Sequence, residues 1–188
     1  VWIRNKPDGK EEHENPYYTT DHFSAVIYVR VHNNGKVRYN GGNWLHVYWA
    51  LASTGIRSAT WKGRELYNNR HVTGEALRAM HIDSIEPGES GIVQVNWSLP
   101  QDLMKNDNEV KHHFCILARI MNSSVDDKYD PEGPIYFDVK GDRQIAQKNV
   151  TVLNMQDARN GASVFVRNIY GDARSCLLYT SPSPRDCS

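Results

Sequence analysis

The side chains best suited to bind a cation lie in one acidic turn. Asp126, Asp127 and Asp130 follow one another closely, with Glu132 just behind them, and Ca²⁺ takes several hard oxygen ligands. The spacing does not match an EF-hand, because the central Gly and the terminal Glu are not at the required offsets. Acidic turns are also commonly only solvated. The three aspartates are therefore a candidate calcium site, and the sequence indicates no other cofactor.

Aromatic rings are the second chemistry that the sequence offers. Four of them could form a flat platform on which sugars or an exposed peptide stack: Trp44, Tyr48, Trp61 and Tyr67. Strand alternation places Trp49 and Trp97 in the core, and the same interpretation is open for Trp44. Trp61 and Tyr67 lie in a long loop, and loops carry function more often than sheet cores do. These two residues are the candidate ligand-binding residues.

Catalytic chemistry finds little support. His112 and His113 are adjacent, so in a strand their rings would point to opposite faces and could not converge on one metal ion. No His-Glu-x-x-His zinc motif occurs. Cys115 falls in the most apolar stretch of the chain, which favours a buried, inert thiol. His113 would share its strand face, but no orienting Asn or Asp is identifiable. The sequence therefore predicts no enzyme.

Composition and charge restrict the classes of partner that the chain could bind. Lys plus Arg equals Asp plus Glu at 22 each, so no basic surplus would attract nucleic acid. No run approaches the eighteen or so apolar residues that a membrane helix needs, so no membrane insertion is expected. The chain starts at Val1, already inside an apparent strand, which indicates a fragment of a longer reading frame.

Alternation of apolar and polar residues dominates the rest of the chain. In residues 25–32, Ala25, Ile27 and Val29 point one way while their neighbours point the other, as in a half-buried strand. Residues 33–35 (Asn-Asn-Gly) would end it, because Asn and Gly accept positive φ. About seven strands are predicted, at residues 1–4, 25–32, 44–50, 91–99, 114–121, 135–139 and 148–153. One helical turn is predicted at residues 75–80.

Strands of this number and length, separated by turn signals, are typical of an all-β antiparallel sandwich. A closed barrel is the main structural rival. Several segments, in their order along the chain, resemble the CARDB-like (cell-adhesion-related) class of bacterial immunoglobulin-like domains: YVRVHNNG (28–35), LHVYWALASTG (45–55), IEPGESGIVQVNWSLP (85–100), FCILARI (114–120) and IAQKNVTVL (145–153). The long excursion at 52–83 departs from that compact pattern.

The resemblance implies an immunoglobulin-like β-sandwich of about seven strands at residues 1–155. It offers no catalytic residues to carry over. Residues 156–175 would begin a truncated following domain. Residues 176–188 resemble the translation of a sequencing adapter and are predicted to be non-native, which marks the chain as a metagenomic fragment. Without them Cys115 is the one remaining cysteine, so no internal disulfide can indicate the compartment.

The favoured function is a non-catalytic immunoglobulin-like accessory module, a spacer or adhesion domain of a larger exported bacterial protein. The resemblance implies an extracellular or cell-surface location, with a secreted peptidase domain as a typical neighbour. Expected partners are the neighbouring domains of the same chain and a surface glycan or protein. A carbohydrate-binding module that uses Trp61 and Tyr67 is the first alternative. An enzyme is the second and the less favoured one.

Overall fold

The computed structural model of the chain describes residues 1–52, 56–67, 69, 71–101, 103, 113–124 and 142–155. The elements within these residues are β1 (Trp2–Arg4), β2 (Tyr17–Tyr18), β3 (Ser24–His32), β4 (Trp44–Leu51), α1 (Ser58–Trp61), β5 (Leu66–Tyr67), β6 (His71–Val72), β7 (Gly74–Ala76), β8 (Met80–His81), β9 (Ser90–Ser98), β10 (His113–Met121), β11 (Ile145–Thr151) and β12 (Leu153–Asn154). The predicted strand at 135–139 and the regions 156–175 and 176–188 lie outside the described residues.

Sheet I is antiparallel, with β3 between β1 and β9. Ile27 lies opposite Ile3 on one side and opposite Val95 on the other. Because side chains alternate along a strand, this register places a row of branched apolar residues on one face. The inner face of β3 is the one that alternation predicts, with Ala25, Ile27 and Val29 in the main core.

Sheet II is also antiparallel and places β10 between β11 and β4, while β7 and β8 pair with the other side of β4. Ile116 lies opposite Trp49, and Ala118 lies opposite Val47. β2 and β12 form a short parallel pair, with Leu153 opposite Tyr17. β5 and β6 form a small hairpin of their own.

The two sheets face each other across one apolar core to which both contribute. At its centre the rings of Trp49 and Trp97 each approach Phe114 edge to face, with centroids 5.7 and 5.8 Å away. All three rings are almost completely buried. Burying a large apolar side chain contributes about 1.5–3 kcal/mol, so this triad is a main source of stability.

The predicted all-β antiparallel sandwich is confirmed. Within the described residues no strand belongs to both sheets, so the sheets stack as layers and do not close into a barrel. The placement of Trp49 and Trp97 in the core is confirmed as well. Trp44 is only half-buried. It is the first residue of β4, and its ring contacts His81 edge to face at 5.5 Å.

The helical turn predicted at 75–80 is wrong. Gly74–Ala76 and Met80–His81 are strands that pair with β4, with Ala76 opposite Tyr48 and Met80 opposite Leu45. The edge of β4 offers backbone hydrogen bonds that local helix propensity cannot match. The helical turn of this region is α1, which packs against β7 so closely that a Cβ on Gly74 would lie 2.3 Å from the carbonyl oxygen of Thr60.

Each sheet also carries apolar side chains on its outer face, and the chain covers both. Over sheet I, the N-terminal loop (residues 5–16) crosses Trp2, Val26 and Tyr28. Trp2 donates its indole N–H to the carbonyl of Lys10 at 2.8 Å. Over sheet II, α1 lays Trp61 against a cluster that includes Tyr48 and Leu117.

Candidate functional site

A cleft opens at the end of the sandwich where β3 and β10 finish and β4 and β11 begin. It consists of two adjoining cavities of about 420 and 240 Å³, which share Asn43, Ile120 and Gln144 as lining residues. We call it the end cleft. Small-molecule sites are usually clefts of about this volume.

Aliphatic side chains form the floor of the end cleft. Val31 and Ile120 come from the ends of β3 and β10, and Ile82 and Ile85 come from the segment before β9. All four belong to the main core or pack against it. The floor is thus the open end of the core, where apolar surface remains within reach of a ligand.

Hydrogen bonds make the walls of the end cleft rigid. Asn33 donates its amide to the carbonyls of Val37 and Ile85, at 2.9 and 3.0 Å. The Tyr39 hydroxyl accepts from the backbone N–H of Asn43 at 2.7 Å and donates to its side-chain oxygen at 3.1 Å. Backbone bonds in both directions join Tyr39 to Ile85. The loop between β3 and β4 is therefore fixed against the segment before β9.

The turn after β3 was expected to depend on positive φ at residues 33–35, and this reason is wrong. None of residues 33–35 has a positive φ. Instead, the side-chain oxygen of Asn33 accepts from the backbone N–H of Gly35 at 3.0 Å, as in an Asx turn. Asn33 thus shapes the turn with its side chain and attaches it to Ile85, which lies 52 residues further along the chain.

Among the described residues, the charged side chains that line the end cleft are positive. Arg143 lies in the tight turn before β11, where the Asp142 carboxylate accepts from the backbone N–H of Gln144 at 2.8 Å. The Arg143 side chain is exposed and lines the larger cavity, and Arg119 lines the smaller one. Among the described residues that line the cleft, none is Asp or Glu. The cleft therefore favours an anionic group.

Binding is the chemistry that these residues support. Asn34, Gln144 and Arg143 offer hydrogen-bond donors at the mouth. His32 is the one imidazole among the described lining residues. No Ser, Thr, Cys, Lys, Asp or Glu is among the described lining residues, so His32 has no partner there of the kind used in nucleophilic catalysis.

No family model and no curated protein matches the chain. Several solved structures are similar to the chain, and two of them are described here. One is a CARDB domain from Pyrococcus furiosus in complex with di-metal ions, at 15% identity over 75% of this chain and 88% of that chain, with a TM-score of 0.38. The other is a hemolymph type prophenoloxidase from a crustacean, at 13% identity over 85% of this chain and 28% of that chain, with a TM-score of 0.40.

The first of these structures belongs to the class that the sequence segments resemble. With both TM-scores below 0.5, the fold assignment stands on the strand pairing of this chain itself. The chain spans about a quarter of the length of the prophenoloxidase.

The structure places Trp61 inside the domain. It is 3% exposed, and it packs with Tyr48, Ala50, Cys115 and Leu117 on the outer face of sheet II. A stacking platform needs an accessible ring face, and the ring of Trp61 does not offer one in this conformation. Tyr48, another ring of the expected platform, is 2% exposed.

The other candidate site residues stay predictions. Tyr67 lies in β5, which pairs with β6, and the description does not extend to its side chain. Asp126, Asp127 and Asp130 lie outside the described residues, so the calcium hypothesis is open. Within the part of the chain that the structure describes, no group of three His, Cys, Asp or Glu side chains is placed to hold a metal ion.

Cys115 is buried, at 6% exposure. Its thiol donates to the side-chain oxygen of Asn149 on β11 at 3.2 Å. Burial raises the pKa of the Cys115 thiol, which disfavours the nucleophilic thiolate. His113 bonds instead to the Thr151 hydroxyl, at 3.1 Å. Cys115 and His113 therefore each join β10 to β11 through a side-chain hydrogen bond.

Sequence reasoning missed the end cleft. Its walls combine a turn after β3, a Gly- and Asn-rich loop, and a turn before β11, each of which has ordinary turn composition. Asn33, Asn34, Asn43 and Gln144 are all amides, and a run of amides in turns is too common to indicate a cavity. The one signal was the density of Asn around residues 33–43.

Proposed function

We propose that the chain is a non-catalytic immunoglobulin-like accessory module, a spacer or adhesion domain of a larger exported bacterial protein. The observation that carries the proposal is how the described polar side chains are used. They attach loops and neighbouring strands to the two sheets, and they do not converge on a reaction centre.

Arg4 shows this use of polar groups over sheet I. Its guanidinium pairs with Asp8 at 2.8 Å and with Glu14 at 3.3 Å, and it donates to the carbonyl of Glu12 at 3.4 Å. Arg30 pairs with Glu11. One cation of β1 and one of β3 thus hold the N-terminal loop in place.

Polar side chains also attach neighbouring segments to sheet II. His46 of β4 contacts the carbonyl of Ser123 at 2.8 Å through its Nε2, which fixes the segment after β10. Glu65 accepts from the hydroxyl of Thr60 and pairs with Arg57, which fixes α1. A domain whose loops are attached in this way suits a spacer, because a spacer must keep its shape.

The proposal also includes where the protein is located and which domain lies next to it. The resemblance of the segments to surface-protein modules supports an extracellular or cell-surface location and a secreted peptidase as the neighbouring domain. No helix among the described residues is long and apolar enough to cross a membrane.

The test begins with the source DNA, sequenced past both ends of this reading frame. The full protein is then expressed with and without residues 1–155. For a spacer or adhesion domain, we expect the deletion to reduce surface attachment or reach while the specific activity of the neighbouring domain on a soluble substrate stays unchanged. Loss of a chemical step that the isolated neighbour cannot perform alone would contradict the non-catalytic assignment.

A further inference from the structure

We propose that the end cleft binds a ligand that carries a carboxylate next to a branched aliphatic group. The inference does not depend on the spacer role, because it rests on the geometry of the cleft alone. The ligand class follows from three features: the aliphatic floor, the positive charge at the mouth and the size of the cavity.

The floor selects the aliphatic group. Val31, Ile82, Ile85 and Ile120 line the larger cavity, and of these Val31 and Ile120 are only partly buried. Tyr39 also lines it, but its hydroxyl is already bonded to Asn43. Branched apolar groups of a ligand would remove this surface from water. Sugars, in contrast, are usually held by stacking on an exposed ring face, and the floor is aliphatic.

Arg143 selects the carboxylate. Its exposed guanidinium lines the larger cavity and forms no ion pair with any described residue. A guanidinium matches a carboxylate with two parallel hydrogen bonds. The side-chain amides of Asn34 and Gln144 line the same cavity and supply further donors. No described carboxylate of the lining competes for these donors.

The size of the cleft suits a small ligand or the end of a polypeptide chain. The larger cavity of about 420 Å³ lies within the range of small-molecule sites. Its walls are held by the bonds of Asn33 and Tyr39, so binding requires little ordering of the protein. A free branched carboxylate and the C-terminal residue of a polypeptide with a branched side chain share this chemistry.

The test is a titration of the full 188-residue chain, followed by the amide chemical shifts of the ¹⁵N-labelled protein. The probes are 4-methylpentanoate, N-acetyl-leucine and the uncharged N-acetyl-leucinamide. We expect saturable shifts for both acids, confined to residues around the end cleft. The amide should bind at least about tenfold more weakly, because it lacks the charge that Arg143 recognises.

Substitution of Arg143 provides the second readout. Arg143→Gln should weaken binding of N-acetyl-leucine by about tenfold or more. Arg78→Gln is the matched control, because Arg78 is also exposed and does not line the cleft. We expect the control to bind like the unmodified chain. Should Arg143→Gln fail to fold, the difference in affinity between N-acetyl-leucine and N-acetyl-leucinamide for the unmodified chain still tests the proposal.

Two more probes separate the sources of the ligand. Acetyl-Gly-Gly-Leu with a free carboxylate should bind more tightly than 4-methylpentanoate if the ligand is a polypeptide C-terminus, and no more tightly if it is a free small acid. Three results would overturn the proposal: no saturable shifts with either acid, equal affinity for the acid and the amide, or tighter binding of glucuronate than of N-acetyl-leucine.

Discussion

The outer faces of the two sheets are both covered by the chain, but with a different balance of polar and apolar contacts. Over sheet I, the N-terminal loop is held by ion pairs and hydrogen bonds that centre on Arg4. Over sheet II, α1 is held by Trp61, which is 3% exposed and packs on Tyr48 and Leu117. The first cover, the polar one, is held mainly by charged groups and the second, the apolar one, mainly by a buried ring, while Glu65 also fixes α1 through Thr60 and Arg57.

The difference predicts how each cover responds to conditions. Burial of apolar surface involves no titrating group, so it does not itself depend on pH. The polar cover depends on the charge of its groups. The Arg4 guanidinium holds the pKa of the Asp8 carboxyl at about 2, so this contribution to stability is present above about pH 4 and is lost as the pH falls towards 2.

The largest effect is expected where the apolar cover is truncated. Trp61→Ala removes a buried ring and leaves a cavity, so we expect it to lower the free energy of unfolding by about 3–5 kcal/mol. Denaturant unfolding followed by fluorescence or circular dichroism measures this. Leu66→Ala is the control, because Leu66 belongs to the same excursion but is 53% exposed, and its loss should stay below about 0.5 kcal/mol.

This result bears on glycan binding as well. A loss of binding in Trp61→Ala could follow from unfolding alone, so Trp61→Phe is the better variant for a glycan array. An unfolding free energy that Trp61→Ala leaves unchanged would contradict the burial of the ring and reopen the platform hypothesis.

The second effect is expected where α1 meets β7. Gly74→Ala would place a methyl group 2.3 Å from the carbonyl oxygen of Thr60 and 2.7 Å from that of Trp49, so the backbones must separate. We expect a loss of about 1–3 kcal/mol, measured by denaturant unfolding. In the control Gly91→Ala, the methyl group would meet only the flexible Ile85 side chain, at 3.3 Å. Equal losses in both variants would argue against a close approach of α1 and β7.

The third effect tests the polar cover and is local. Arg4→Met keeps the aliphatic stem but removes the pairs with Asp8 and Glu14. We expect faster amide exchange in the N-terminal loop and unchanged exchange in β10 and β4, as measured by hydrogen exchange. Arg38→Met is the control, because Arg38 pairs with Glu86 on an exposed surface. Faster exchange throughout the core would mean that the loop is part of the global folding unit.

Alternation along the strands was enough to predict the sandwich and its inner faces. It placed Ile27, Trp49 and Trp97 correctly, because a strand with one buried face must repeat every two residues. It could not predict β7 and β8, whose pairing depends on the edge of β4, or the burial of Trp61, which depends on the outer face of sheet II. The end cleft could not be predicted either, because contacts between residues far apart in the sequence form it, such as that of Asn33 with Ile85.

The smallest effect is a pH dependence of the polar cover that centres on His13. The backbone N–H of Ile3 donates to Nδ1 of His13 at 3.2 Å, which requires the neutral ring. Burial, with the positive charge of Lys148, lowers the pKa of His13 below its ordinary 6.5, while Asn15 and Glu14 act in the opposite direction. The unfolded chain therefore binds a proton more readily, so this contribution to stability is complete above about pH 6.5 and is lost as the pH falls through the lower folded value.

We expect the unmodified chain to unfold at lower denaturant concentration at pH 5.5 than at pH 7.5, and His13→Gln to reduce that difference. His32→Gln is the matched control, because His32 is exposed at the end cleft and no described backbone N–H donates to its ring. If His32→Gln removed the pH dependence and His13→Gln did not, the acid-sensitive group would lie at the end cleft. The contrast between a polar and an apolar outer cover would then no longer explain the response to pH.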